Sequence, residues 1–196
     1  MKPLFLSQLK VPYETVLQRG LRTSYDWHRW IWNAFPGQPE KTRDFLFRVD
    51  VADRTVRVLL LSGERPSDIE GWIWDTREIM EAFLEHGTFR FQVRANPTFR
   101  RSSDHRRIAL YKEEELRDWI TRKLGQIGAK LRMVEVGHPD TETFVKDGKR
   151  GTHVAVDFHG VLEVTDPESF REGFGKGIGT AKGFGYGLLM LQPIQL

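Results

Sequence analysis

The 196-residue sequence contains no cysteine. That excludes a disulfide framework and any thiolate metal site, and it fits a reducing compartment. No apolar run approaches the ~20 residues of a membrane span. The opening "MKPLFLSQLKV" has too short an apolar segment for a signal peptide, so a cytoplasmic protein without a membrane partner is expected. The six histidines form no H-x-H, H-x-x-x-H or H-E-x-x-H pattern, and no dense carboxylate cluster accompanies them. Neither a metal nor another cofactor is expected. Two phosphate-binding motifs are missing as well. G-x-x-x-x-G-K-[ST] fails because Phe170 stands where its first glycine belongs, and G-x-G-x-x-G fails at Thr180.

What is present supports a folded protein. The composition is 39% hydrophobic and 12% aromatic, enough for one substantial core or two small units side by side. The net charge of +3 is unevenly spread. Arg90, Arg94, Arg100, Arg101, Arg106 and Arg107 fall within one stretch whose only acid is Asp104. Such a segment is either a polyanion contact, where cations neutralise phosphates and release counterions, or a solvated loop. Near the C-terminus, "GFGKGIGTAKGFGYGLL" (Gly173–Leu189) has seven glycines in its first fifteen residues, with Lys176 and Lys182 among them. Glycine inside an element costs stability, so the run is either a flexible turn or a backbone that approaches something closely.

The apolar pattern alternates strands and helices. "LFLSQLKV", the pair "RDFLFRVDV" and "TVRVLLLSG", and "GTFRFQVRANP" read as strands. "YDWHRWIWNAF" reads as a helix with Trp27, Trp30, Ile31 and Ala34 on one stripe, ended by Pro36-Gly37. "DIEGWIWDTREIMEAFL" fits either a helix or an extended segment. The resulting order β-α-β-β-α-β is the ferredoxin-like plan. A second pass follows through "RRIALYK", "EEELRDWITRKLGQIG", "KLRMVEVG", "TETFVKDG", "GTHVAVDFHGVLEVTD", "DPESFREGF" and "GYGLLMLQPI". The expected fold is therefore α+β, with tandem ferredoxin-like units over 1–96 and 104–196, the glycine-rich loop in the second. With no low-complexity linker, the two should pack together.

On the first helix Tyr25 precedes His28 by three positions, so both can share a face. Arg22 precedes that turn and Arg29 follows it. Spacing alone leaves catalysis and ordinary packing both open.

Several segments resemble, in order along nearly the whole chain, the CasE-type repeat-cleaving endoribonucleases of type I-E CRISPR systems, members of the RAMP superfamily. These are "YDWHRWIWNAFPGQPEKTRDFLFRVD", "FQVRANPTFR", "FHGVLEVTDPESF" and "GKGIGTAKGFGYGLLML". The resemblance implies metal-independent cleavage of the stem-loop in CRISPR repeat precursor RNA. It also implies continued attachment to the mature guide RNA beside the other subunits of an effector complex. Catalysis would fall on His28, with Tyr25 assisting. The glycine-rich loop would face RNA through Gly177 and Gly179, with Ile178 anchored in the core and Lys176 and Lys182 on phosphates. Arg22, Arg29, Arg94, Arg100, Arg101, Arg106 and Arg107 become candidate RNA contacts. Two departures stand out. Trp27, Trp30 and Trp32 make the first helix unusually aromatic, and the family's basic insertion is represented only by Lys146, Lys149 and Arg150.

The chemistry suits these residues. RNA carries its own nucleophile, the 2′-OH, and imidazole offers both protonation states near neutral pH. Whether His28 serves as base or acid is open at this point. The alternatives are a non-catalytic guide-RNA subunit on the same fold, a single-strand reader and a metal nuclease. The second lacks the aromatic sheet motif such readers carry, and the third lacks ligands.

Overall fold

The computed structural model describes residues 3–36, 45–146 and 149–194. The first sheet contains β1 (Phe5–Pro12), β2 (Phe45–Ala52), β3 (Thr55–Ser62) and β4 (Asp75–Glu78), in the antiparallel order β2-β3-β1-β4. Two helices, α1 (Tyr13–Gln18) and α2 (Ser24–Trp32), connect β1 to β2. Period-2 alternation sends Leu9, Val11, Val56, Val58 and Leu60 toward Trp27, Trp30 and Ile31 of α2, where they close one core. The opposite face of the same sheet contributes Leu46, Leu59 and Leu61 to a second core shared with the rest of the chain. Burial on both faces is why "LLL" runs unbroken through β3.

The second sheet has the order β11-β5-β10-β8, from β5 (Thr88–Ala95), β8 (Ala129–Val136), β10 (Lys149–Val164) and β11 (Met190–Pro193). The first part of β10 pairs instead with β9 (Asp140–Lys146). A one-turn helix, α3 (Glu81–Leu84), precedes β5. Two longer helices, α4 (Glu113–Gly125) and α5 (Pro167–Lys176), supply Leu116, Trp119, Ile120, Leu124, Phe170 and Phe174 to the second core. Both are signed at their ends. α4 opens on three glutamates and closes on Arg122 and Lys123, matching its dipole. At α5, Asp166 caps the backbone N–H of Ser169 at 3.2 Å, with proline in the first turn.

Each sheet places its last strand beside its first, then its third, then its second, so both units are ferredoxin-like. The division between them differs from the expected 1–96 and 104–196. Thr88–Ala95, read as the closing strand of the first unit, lies inside the second sheet between β10 and β11. The first unit closes instead on the short polar β4. "RRIALYK" supplies only β7 (Arg107–Ala109), which pairs with β6 (Thr98–Arg100) in a separate hairpin. The reason is burial. Phe89, Phe91, Val93 and Ala95 are all at most 2% exposed, which suits a central strand, whereas "DTRE" carries little apolar signal and suits an edge. In place of a second helix, the first unit has a loop over 63–74, pinned by an Ile69–Trp72 bridge. No helix among the described residues is long and apolar enough to cross a membrane.

Candidate active site

α2 begins with a reciprocal cap. Asp26 N–H donates to Thr23 Oγ1 at 3.2 Å, and Thr23 N–H donates to Asp26 Oδ2 at 2.8 Å. This fixes the turn on which Tyr25 and His28 stand. Trp27, Trp30 and Ile31 turn inward from the same helix. The His28 imidazole, half-buried, stacks on Phe45 (5.6 Å between centroids, 30°) and lies 5.7 Å from Trp32 and 6.3 Å from Phe47. The aromatic excess of α2 thus has two jobs. Trp27 and Trp30 fill the core, while Trp32 helps hold the imidazole. Tyr25, His28 and Arg29 line one cleft of about 660 Å³ with Arg19, Leu21, Asp26 and Asn33. Arg29 is exposed at its edge. Arg22 is exposed just before the helix, outside this lining, and its backbone N–H donates to Asp26 at 3.2 Å.

The glycine-rich segment comes up against this helix. A 3-10 turn, Lys182–Phe184, sits beside α2 and β2. Gly185 follows with φ +81°, so close to Phe47 that a Cβ would lie 3.3 Å from its ring. Gly187 has φ +87°, and a Cβ there would meet the Ile178 carbonyl at 2.4 Å. Ile178 N–H donates to Gly187 O at 2.9 Å, and Gly187 N–H to Arg94 O at 2.8 Å. The segment therefore folds back on itself and on β5. Ile178 is 2% exposed, in the anchoring position expected for it. The backbone on either side of it, expected to face outward, is half-buried. Gly177 (φ +75°) packs against Leu46 and the Gly187 carbonyl, and Gly179 (φ +78°) against the Trp119 ring, each leaving 3.0 Å or less for a Cβ. Here glycine serves close internal packing in a left-handed conformation.

The "RANP" segment is the other half of this structure. Asn96, 6% exposed, accepts Val154 N–H at its side-chain oxygen (3.3 Å) and the Thr180 hydroxyl at its carbonyl (3.4 Å). Its amide nitrogen lies 3.2 Å from His153 Nδ1. Arg94, expected to contact RNA, is committed internally. It donates to Asp157 at 2.7 Å and to Glu142 at 2.6 Å. Burial opposes its charge, but Glu142 and Asp157 outweigh that and hold the guanidinium above its ordinary pKa. Glu142 in turn accepts the Tyr186 hydroxyl. Burial, then the Glu142 carboxylate, pushes that phenol above its usual range.

The remaining candidates are dispersed. Arg100, Arg101, Arg106 and Arg107 are exposed on the β6–β7 hairpin. Arg101 forks onto Asp104 at 3.0 and 2.6 Å, Arg106 lies 3.5 Å from the same carboxylate, and Arg100 donates to His105 O at 3.2 Å. Lys176 pairs with Glu172, and Lys182 donates to Lys176 O at 2.6 Å. Both lysines line a larger cleft of about 1190 Å³ between the units, not the one at His28. Arg150 is exposed at the start of β10, whereas the side chains of Lys146 and Lys149 lie outside the described part of the chain. Glu142, Asp157 and Tyr186 were not singled out from the sequence. Their grouping depends on which strands pair, and no local pattern marks it.

Paired ferredoxin-like units, with a glycine-rich turn pressed against a helix carrying tyrosine and histidine, place the molecule among the tandem-unit α+β proteins. A family model described as "CRISPR associated protein" matches residues 4–193. The Cascade subunit CasE of Escherichia coli K12 is 34% identical over 191 residues, 88% of this chain and 94% of that one. The CRISPR-associated endoribonuclease Cse3 of Thermus thermophilus is 30% identical, covering 93% and 96%. A structure of Thermus thermophilus Cse3 bound to an RNA representing a pre-cleavage complex superposes with a TM-score of 0.83, 27% identity, and coverage of 97% of this chain and 100% of that one. The chain belongs to the CRISPR-associated family of CasE-type proteins.

Proposed function

We propose that this protein is a metal-independent endoribonuclease that cuts the stem-loop of CRISPR repeat precursor RNA and stays on the mature guide RNA as a subunit of a type I-E effector complex in the cytoplasm. The observation carrying the reading is the placement of Tyr25 and His28 on one capped helix, open to a cleft and braced by Phe45, Phe47 and Trp32. The names of its relatives, and the RNA bound to one of them, support the substrate class.

The reaction needs a proton moved and a phosphate held in line. The 2′-oxygen beside the scissile phosphate attacks phosphorus while its proton leaves to a base. The P–O5′ bond breaks and the departing oxygen takes a proton, giving a 2′,3′-cyclic phosphate and a 5′-OH. His28 serves one of these two proton transfers. The Tyr25 phenol orients the nucleophile or donates to the developing oxyanion, and Arg29 at the cleft edge offsets the added negative charge. No external water or metal-bound hydroxide is required, because the nucleophile belongs to the substrate.

The test is incubation with the protein's own repeat RNA in excess chelator, followed by mapping of the product ends. Cyclic-phosphate and 5′-OH ends are expected. A 2′-deoxy residue before the cut should abolish cleavage without loss of binding, and His28→Ala should slow single-turnover cleavage by about 10²-fold or more. Activity that disappears in chelator and returns with Mg²⁺, or persists on the 2′-deoxy substrate, would overturn the reading.

A further inference from the structure

A polar chain crosses the molecule beneath the glycine-rich turn. Arg57 on β3 donates to Asp50 on β2 at 2.8 Å, and Asp50 also receives Arg48 Nε at 2.6 Å. Arg48 Nη1 lies 3.8 Å from Asp157 on β10. Asp157 and Glu142 both receive Arg94, and Glu142 receives the Tyr186 hydroxyl. The chain thus begins in the first sheet, crosses into the second and ends on the turn. Tyr186 is 1% exposed, so the network terminates on a buried side chain.

What the tether holds is close to the reaction. Immediately before Tyr186, Gly185 rests against the Phe47 ring, and Phe47 packs against His28. A second brace acts on the same turn, where Phe184 meets Phe144 at 4.5 Å and His153 at 4.6 Å. From this geometry we infer that Glu142 and Tyr186 are positioning residues for cleavage. Their hydrogen bond, backed by Arg94, fixes the 185–186 backbone against Phe47 and so sets the imidazole of His28. Neither residue touches the reacting atoms. The inference rests on the endoribonuclease reading above.

The physical argument concerns tolerance. Packing alone locates the turn to within the give of aromatic contacts. A hydrogen bond to a charged, partly buried carboxylate is directional and fixes it more tightly. In-line transfer is sensitive to such differences, since displacement by about 1 Å can cost up to about 10²-fold in rate. The effect should therefore appear in the chemical step and not in affinity, because Glu142 and Tyr186 present no cation to a phosphate.

The experiment uses the full-length protein and its repeat RNA. Tyr186→Phe removes one oxygen and keeps the ring, and Glu142→Gln keeps an acceptor while removing the charge. Under saturating protein, each should lower the single-turnover rate about tenfold or more, with the RNA dissociation constant within about twofold of the parent and melting nearly unchanged. The double variant should be little slower than the worse single variant, because both remove one linkage. Full parental rate per folded molecule in Tyr186→Phe, rate losses that multiply in the double variant, or losses wholly in affinity would each overturn the inference. Failure of the parent protein to cut the RNA would instead refute the underlying activity.

Discussion

The glycine-rich segment and the arginine hairpin both read as RNA-contact segments, and the structure treats them in opposite ways. Gly177, Gly179, Gly185 and Gly187 all have positive φ, and they lie against Leu46, Trp119, Phe47 and Ile178 with little or no room for a Cβ. Flexibility in sequence has become close packing. The hairpin over 98–109 keeps its arginines at the surface, where Asp104 draws in Arg101 and Arg106. Bond strength there is modest, since exposed pairs contribute little and screen readily. One segment is a closely packed, half-buried support beside the helix that carries Tyr25 and His28. The other is a cationic surface held open by a local carboxylate.

The comparison breaks most easily at Gly187. Gly187→Ala should cost about 3 kcal/mol, from left-handed strain and a clash with the Ile178 carbonyl, lowering the melting temperature by roughly 6–12 °C. A normal melting curve would mean that the segment is not the close-packed support described. Gly179→Val should cost about 2 kcal/mol by the same two causes, with the Trp119 ring as the obstacle. A variant that melts normally yet loses RNA would return that glycine to the ligand-facing role.

The hairpin should respond in the opposite sense. Replacing Arg100 and Arg101 with alanine should leave melting nearly unchanged and weaken RNA binding. The slope of log affinity against log salt should fall in magnitude by up to about 2, one counterion for each phosphate that is no longer neutralised. An unchanged slope would assign both arginines to a solvated loop.

A smaller effect is expected at His153, where the hairpin β9–β10 braces the turn. Burial disfavours its charged form and Glu142 only partly compensates, so its pKa lies below 6.5 in the folded protein. Between that lowered value and 6.5 the unfolded chain binds more protons, so stability falls as pH drops through this window. His153→Phe should flatten that part of the melting profile relative to the parent. Identical pH profiles would remove His153 as the cause.

Much of this was legible in one dimension. The helix Ser24–Trp32, the β2–β3 hairpin, the Asp166 cap and the burial of Ile178 follow from apolar period, turn residues and capping chemistry, all local properties. So does the shared face of Tyr25 and His28, which three-residue spacing on a helix secures. The unit boundary is not legible in the sequence because strand partnership is not local. "GTFRFQVRA" announces a buried strand without saying beside which others it lies. The partners of Arg94 are illegible for the same reason, since a cation's surroundings depend on the acids that strand pairing brings beside it.

The sequence by itself determined the longer helices and strands, which of their faces are apolar, and that tyrosine and histidine stand one turn apart, while it left 68–84 open and gave no sign of the short helix Tyr13–Gln18. Only the tertiary structure decided that Thr88–Ala95 is a central strand of the second sheet, that the glycines pack inward, and that Tyr186, Glu142, Arg94 and Asp157 meet. Periodicity and capping act over a few residues and are written in order along the chain. Sheet order and charge partnership are settled by competition among distant segments for the same buried space.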